Sequence, residues 1–377
     1  KQCRIGDIYA ERSQRGASDM ELLSVTMNDG VMPRSEIESK DNSSEDKSNY
    51  KVVLTGDMVY NSMRMWQGAN GISPCDGIVS PAYTVLMPKV PISNGYFAAF
   101  FKSPNLINEF RRNSQGMTSD TWNLKYPQIE TIKVCIPALS EQKRVSDMLG
   151  TLERRIAKQA QLVDNLKKYK RGVMQRIFRQ LPTQNGAEWA CVRLGDIFKK
   201  VSRRNTDGVI KNVITNSAEY GLIPQRDFFD KDIAVDGNTA NYYVIENGDF
   251  VYNPRKSNSA PYGPFNRYTL SEQGIISPLY TCLVLQADIS PSYLAWYFKS
   301  DAWYRYIYDN GSQGVRHDRV SMTDDLLMGI PVMYPSHVKQ LLYADILDMV
   351  EARLQATQKT LDLLSKTRDG YMRQLFI

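Results

Sequence analysis

Between Ser140 and Arg179 the apolar residues keep to heptad spacing, with steps of four, three and seven: Val145, Leu149, Leu152, Ile156, Val163, Leu166, Val173 and Ile177. So narrow a seam marks a coiled coil rather than the broader stripe of an ordinary surface helix. Pro137, then Ser140, Glu141 and Gln142, read as the helix start. About forty residues at ~1.5 Å each make a rod of roughly 60 Å, too long to lie on one small domain. The seam therefore needs a partner.

The partner is in the same chain. The stretch from His337 to Ile377 overlays the first at an offset of 198: Leu149 meets Leu347, Leu152 meets Val350 and Ile156 meets Leu354. Further on, Val163 meets Leu361, Leu166 meets Leu364 and Ile177 meets Leu375. Two polar seam positions recur, Gln159 as Thr357 and Lys170 as Arg368. Gly172, Met174 and Phe178 return as Gly370, Met372 and Phe376. Polar seam residues cost stability and set register and orientation. Their recurrence predicts two helices packed on each other, antiparallel, about a pseudo-twofold axis; two unrelated helices would not share them.

Shorter motifs repeat as well. RIGDIY from Arg4 returns as RLGDIF from Arg193, and GDMVYN from Gly56 as GDFVYN from Gly248. SPAYT from Ser80 returns as SPLYT from Ser277, and the FKS that ends at Ser103 as the one that ends at Ser300. Ser114-Gln-Gly and Ile136-Pro recur as Ser312-Gln-Gly and Ile330-Pro. Order is kept while the offset drifts by a few residues. Two copies of a unit this long point to a pseudo-dimer rather than a solenoid.

The predicted class is α+β: two similar mixed α/β domains separated by two long antiparallel coiled-coil helices. The expected boundaries are a first domain over 1–139, a helix over 140–181, a linker over 182–188, a second domain over 189–335 and a second helix over 336–377. Short β-branched or aromatic runs predict strands at 52–54, 58–60, 83–87, 132–136, 250–252, 279–285 and 332–334. The stretches 95–103 and 292–300 read as buried helices, and 36–49 as an exposed, Ser-rich excursion. Trp189 has no counterpart before Arg4 and the chain opens on Lys1 without Met, so a clipped start is expected.

Composition narrows the function classes. No run approaches eighteen apolar residues, and from the polar opening at Lys1 no signal peptide is expected. Five scattered cysteines (Cys3, Cys75, Cys135, Cys191 and Cys282), with no CxxC pair, fit a reduced cytoplasmic protein. Two histidines, His317 and His337, argue against a zinc site, and no metal ligands are expected. The net charge is +6, from 47 basic and 41 acidic residues. Between Glu141 and Leu181 the count is 11 against 4, and from Lys339 onward 6 against 5, which leaves 30 against 32 elsewhere. The excess sits on the first rod, as a solvated face or as a strip facing phosphate.

Catalytic signatures are missing. There is no phosphate loop, no glycine-rich dinucleotide fingerprint and no HExxH. Asn253-Pro254 begins like an adenine-methyltransferase motif, but Arg255 and Lys256 follow and break it. No catalytic residue is expected.

What remains are loops that mix basic, amide and aromatic residues. In the second domain they carry Lys199, Arg203 and Arg204 after a strand, then Arg255, Lys256 and Asn258, then Gln313, Arg316, His317 and Arg319. The matching places in the first domain hold Arg12 and Arg15, then Asn61 and Arg64, then Gln115 and Thr118. Arg grips guanine, Asn and Gln grip adenine, and Ser, Thr and backbone amides hold phosphate. Taken singly, each such residue fits solvated surface or a structural salt bridge better than a base contact. As a set they describe one scaffold carrying different loops, which suits two readers of different sequences.

The helix that follows IPALSEQK from Ile136, the KRGVMQRIF ending at Phe178 with its echo from Arg368 to Phe376, and the Gly-Asp-Ile openings together resemble the specificity (S) subunit of type I restriction-modification systems. The resemblance spans essentially the whole chain. It implies target recognition domains spaced by conserved helices, and double-stranded DNA with a bipartite site as ligand. It also implies two methyltransferase (M) subunits docked on the helices and restriction (R) subunits in the full complex. S-adenosylmethionine, ATP and Mg would belong to those partners, with no cofactor in this chain. The competing expectations are a coiled-coil adaptor without DNA readout and an enzyme with an unrecognised site.

Overall fold

The computed structural model describes residues 2–15, 19–27, 30–38, 43–118, 121–227, 239–311 and 318–376. The chain forms two compact units. The first is Lys1–Leu162 with Thr357–Ile377; the second is the continuous stretch Val163–Ala356.

The first unit holds β1 (Gln2–Arg4), β2 (Tyr9–Glu11), β3 (Leu23–Thr26), β4 (Gly30–Pro33) and β5 (Lys51–Val53). It continues with β6 (Met58–Asn61), β7 (Asn70–Ile72), β8 (Gly77–Val79), β9 (Tyr83–Pro88) and β10 (Lys133–Cys135). Its short helices are α1 (Ile5–Ile8), α2 (Asn94–Phe100), α3 (Pro104–Asn113) and α4 (Tyr126–Ile129). A four-stranded antiparallel sheet runs β2-β9-β6-β7, flanked by the pairs β1-β10, β3-β4 and β5-β8. Alternation along β6 builds two cores. Met58 and Tyr60 face a helical core with Tyr9, Phe97, Phe101 and Phe110, while Val59 faces a smaller one with Leu23, Val31, Val53 and Val85.

The long helix α5 (Leu139–Gln175) passes through a π turn at Arg176–Gln180 into α6 (Leu181–Gln184). The expected helix over 140–181 is therefore interrupted near its end, and the expected linker over 182–188 is partly helical.

The second unit repeats the first. Its strands are β11 (Ala190–Arg193), β12 (Phe198–Val201), β13 (Ile214–Ser217), β14 (Gly221–Pro224) and β15 (Tyr243–Ile245). Then come β16 (Phe250–Tyr252), β17 (Phe265–Arg267), β18 (Gly274–Ile276), β19 (Thr281–Leu285) and β20 (Pro331–Tyr334). Its helices are α7 (Leu194–Ile197), α8 (Pro291–Lys299), α9 (Tyr304–Asn310), α10 (Asp324–Met328) and the long α11 (His337–Leu375). The sheets run β12-β19-β16-β17, β11-β20, β13-β14 and β15-β18, strand for strand the topology of the first unit. Phe250 and Tyr252 join the large core and Val251 the small one.

The repeated motifs mark backbone requirements. Asp7 Oδ2 accepts from the Arg4 amide at 2.8 Å and Asp196 Oδ2 from the Arg193 amide at 2.9 Å, so each Gly-Asp-Ile opening caps a one-turn helix. Gly56 and Gly248 have φ of 91° and 99°, in the left-handed region that favours glycine, and make the turns entering β6 and β16. Ser103 and Ser300 are buried at the ends of the FKS motifs.

Each unit contains parts of both long helices. In the first, Val145, Leu149 and Phe376 join the core around Phe97, and Leu152, Ile156, Leu361 and Leu364 are half-buried. Gln159 Nε2 donates to the Thr357 carbonyl at 2.9 Å, and Arg368 lies 3.8 Å from Glu153, so the two segments run antiparallel. In the second, Ile177, Phe178 and Leu347 enter the core, Val163 is buried, and Leu166, Val350 and Leu354 are half-buried. Leu375 departs from the expected seam. It is exposed, and Phe376 is the buried residue of that turn, packed on Tyr96 and Phe100. In both helices the last apolar contact is with a domain core, which takes the aromatic ring.

The second helix start, whose sequence diverges from the first, is built alike. Gln142 Oε1 accepts from the Ser93 amide and its Nε2 donates to the Pro137 carbonyl; Gln340 does the same with Ser290 and Pro335. The shared signal is a proline followed five residues later by a buried glutamine.

Candidate nucleic-acid interface

In each unit two of the predicted loops lie side by side at one end of the central sheet. In the first unit the loop after β6 begins at Asn61, whose Oδ1 accepts from the Met63 amide at 3.0 Å. The segment around Gln115 and Asn123, itself closed by an antiparallel bridge, runs alongside: the Leu124 amide donates to the Ser62 carbonyl at 2.9 Å. In the second unit Asn253 Oδ1 accepts from the Arg255 amide at 3.0 Å, and Val320 donates to the Pro254 carbonyl at 2.9 Å. Arg255 and Arg319 face each other in an antiparallel bridge. One backbone device thus recurs, and the side chains it carries differ.

In the first unit Arg64, Gln115 and Thr118 are exposed. Beneath them Trp66 and Trp122 pack edge to face at 5.2 Å, and Arg111 lies over Trp66 at 5.8 Å. Sequence reading missed both tryptophans, which lie inside or beside the predicted loops. In the second unit Arg255, Lys256 and Asn258 are exposed and Arg319 is half-buried. The carboxylate near Arg319 is Asp318, at 3.8 Å. Two like charges opposite each other on neighbouring strands repel, and this pair is only partly compensated. Burial raises the Tyr280 phenol, and the charges of Arg255 and Arg319 beside it pull the other way. The place favours an anion. Gln313, Arg316 and His317 lie outside the described residues.

The third predicted group divides. Arg12 donates to Asp57 through Nε, at 2.7 Å, and Nη2, at 3.2 Å, and Asp57 also accepts from the Leu54 amide. Arg203, which the backbone register matches to Gln14 while Arg12 matches Val201, reaches the equivalent turn from two residues further along, beside Glu246, at 2.8 Å, and Asp249, at 3.7 Å. Burial raises the Asp249 carboxyl, with the Glu246 amide and Arg203 acting against that. Arg12 and Arg203 therefore tie the strand leaving each opening helix to the Gly-Asp turn. That turn is one strand length, roughly 13 Å, from the loop at Asn61 or Asn253. Both arginines thus stand in ion pairs within their own units, and Arg203 remains exposed. Arg15 and Arg204 bridge Lys51 and Tyr243 in matching positions and remain exposed. Arg204 also donates to Asn241 at 2.9 Å. Lys199, expected after a strand, is inside β12 on its exposed face.

Among the described residues no His, Cys, Asp or Glu group could hold a metal ion. Among the same residues no helix is long and apolar enough to cross a membrane.

Two units of one topology, each presenting a loop pair with its own side chains, define a duplicated two-domain scaffold braced by long helices. No protein-family model and no curated protein matches the sequence. Solved structures do match. The S subunit of a type I restriction-modification system from M. genitalium superposes with a TM-score of 0.58 at 13% identity, over 100% of this chain and 96% of that one. The HsdS subunit from Thermoanaerobacter tengcongensis gives 0.50 at 15% identity, over 100% and 96%. A chain from a structure addressing complex assembly and conformational transition of the type I R-M system gives 0.57 at 16%, over 100% and 97%. The fold is that of type I restriction-modification specificity subunits, as the motif order led us to expect.

Proposed function

We propose that this chain is the non-catalytic DNA-recognition subunit of a type I restriction-modification complex. Each unit reads one half of a bipartite site in double-stranded DNA through its paired loops. The long helices set the gap between the halves and dock two methyltransferase subunits, with restriction subunits joining in the full complex. S-adenosylmethionine, ATP and Mg act in those partners. The observation that carries this reading is the recurrence of one loop-pair backbone with different polar side chains: Asn61, Arg64, Gln115 and Thr118 in one unit, Arg255, Lys256, Asn258 and Arg319 in the other. A common scaffold with divergent loops suits two unlike half-sites.

The test is selection from a duplex library by the chain together with its methyltransferase subunit. Enrichment of a split motif with a constant gap is expected. Exchange of residues 1–139 should change one half-site and leave the other. Sequence-blind, salt-independent binding would favour an adaptor instead.

A further inference from the structure

Beside the Arg255 loop the second unit has an open cleft of about 500 Å³. Ile307 and Val320 form a buried apolar floor, Tyr262 and Tyr308 stand at its sides, and Asn258 and Asp318 line its rim. The Tyr262 ring is braced: Tyr304 packs on it at 5.0 Å, and Tyr252 Oη donates to its carbonyl at 2.7 Å. Tyr308 is 68% exposed, a large ring left in water at the mouth of the cleft.

The first unit has a different arrangement at the same place. Leu124 and Val320 are equivalent, since each donates to the loop residue after the equivalent Asn61 or Asn253. Two residues earlier stand Trp122 in one unit and Asp318 in the other. The Trp122 indole packs on Trp66 from the neighbouring loop. Where the first unit holds a planar aromatic ring of its own, the second holds a short carboxylate and, among the described residues, no ring to fill the cleft.

We propose that this cleft takes a planar nucleobase, unstacked from the DNA bound by the second unit. The inference rests on the DNA-recognition reading above. Every base has a π-face to lay against the tyrosines. An amide pairs with adenine and a carboxylate accepts from the amino group of cytosine, so Asn258 and Asp318 suit a base edge. Lys256 lines the cleft beside Asp318, and with Arg255 on the same loop it can hold the phosphate of the unstacked nucleotide while the base enters.

The experiment uses the full chain with its methyltransferase subunit and duplexes of the selected site carrying 2-aminopurine at successive positions of the second half. Wild type should raise the fluorescence at one position. Asp318→Trp, which rebuilds the filling of the first unit, should still bind the duplex but lose that rise. Tyr308→Ala, a smaller change if the tryptophan disturbs folding, should lose it too and weaken binding about tenfold, the cost of one lost stack. No rise at any position with the duplex bound, or a rise that persists in both variants, overturns the proposal. Saturable binding of free adenosine monophosphate that is lost in Asp318→Trp, without a duplex signal, overturns DNA as the source of the base. Absence of duplex binding by wild type would instead count against the recognition reading.

Discussion

Lys170 of α5 and Glu351 of α11 lie 2.6 Å apart, ammonium to carboxylate, and both are half-buried in the second unit. The same Lys170 stands 5.3 Å from the Trp296 ring, and Lys299 stands 4.8 Å from it. The Trp296 indole donates to Asp348 at 2.8 Å. A residue that reads as an anomalous cation in an apolar seam is thus the joint between two helices and a domain. The first unit has its own version, Arg368 with Glu153 at 3.8 Å.

This joint carries a pH dependence. Burial alone would raise the Glu351 carboxyl; the hydrogen bond and charge of Lys170 outweigh it, and the carboxyl is held below the usual range. A depressed folded value stabilises above the unfolded carboxylate pKa of about 4.3 and loses that contribution as pH falls through the folded value. Glu351→Gln should cost about 1 kcal/mol near neutral pH and progressively less below pH ~4. Thermal melts of variant and wild type across pH 3–7 should converge at the acid end. A gap that stays constant with pH would refute the assignment.

Gln142 and Gln340 each satisfy one backbone amide and one carbonyl where a long helix meets its domain. Both are buried, so replacement leaves those groups unpaired. Alanine at either position should cost about 2 kcal/mol. The loss should fall on the unit that contains the residue, read by hydrogen exchange of its β-strands, with the other unit unchanged.

Arg12 and Arg203 meet the equivalent aspartates Asp57 and Asp249 from different positions in the chain and differ in burial, which separates their energetics. Asp57 is nearly covered, and Arg12→Ala would strand its charge, at about 3 kcal/mol. Arg203 is 48% exposed, and its alanine variant should cost under ~1 kcal/mol. Denaturant titration measures both. Neither change should alter the bases selected from a duplex library.

These arginines also mark where sequence reading stops. The Gly-Asp turn and the Gly-Asp-Ile cap were legible because backbone geometry demands those residue types and the duplication prints each demand twice. The strands at 58–60 and 250–252, each with a valine followed by a tyrosine within the repeated motif, were legible for the same reason. The partner of Arg12 was not, because Asp57 lies 45 residues away and only folding brings the two together. The hairpin β3-β4 escaped notice since its four-residue strands carry too few apolar positions to show a period. Trp66 and Trp122 sit in polar loops, and nothing local announces that they pack together. Leu375 fitted the heptad, yet burial follows the domain core rather than the repeat, and Phe376 fills that core instead.

Arg255 and Arg319 provide the sharpest electrostatic test of the interface. Cross-strand arginines repel, and Asp318 compensates only one of them, at 3.8 Å. Removing either cation should leave the fold intact or slightly more stable, since no buried partner is stranded. If they hold phosphate, each alanine substitution should lower the slope of log K against log salt by about one. The loss of affinity should be nearly uniform across sequences, unlike a base contact, whose removal costs about 1–3 kcal/mol and relaxes one position. Binding measured between 50 and 200 mM salt on matched and mismatched duplexes separates the two roles. An unchanged slope in the double variant would place the phosphate contacts elsewhere on the unit.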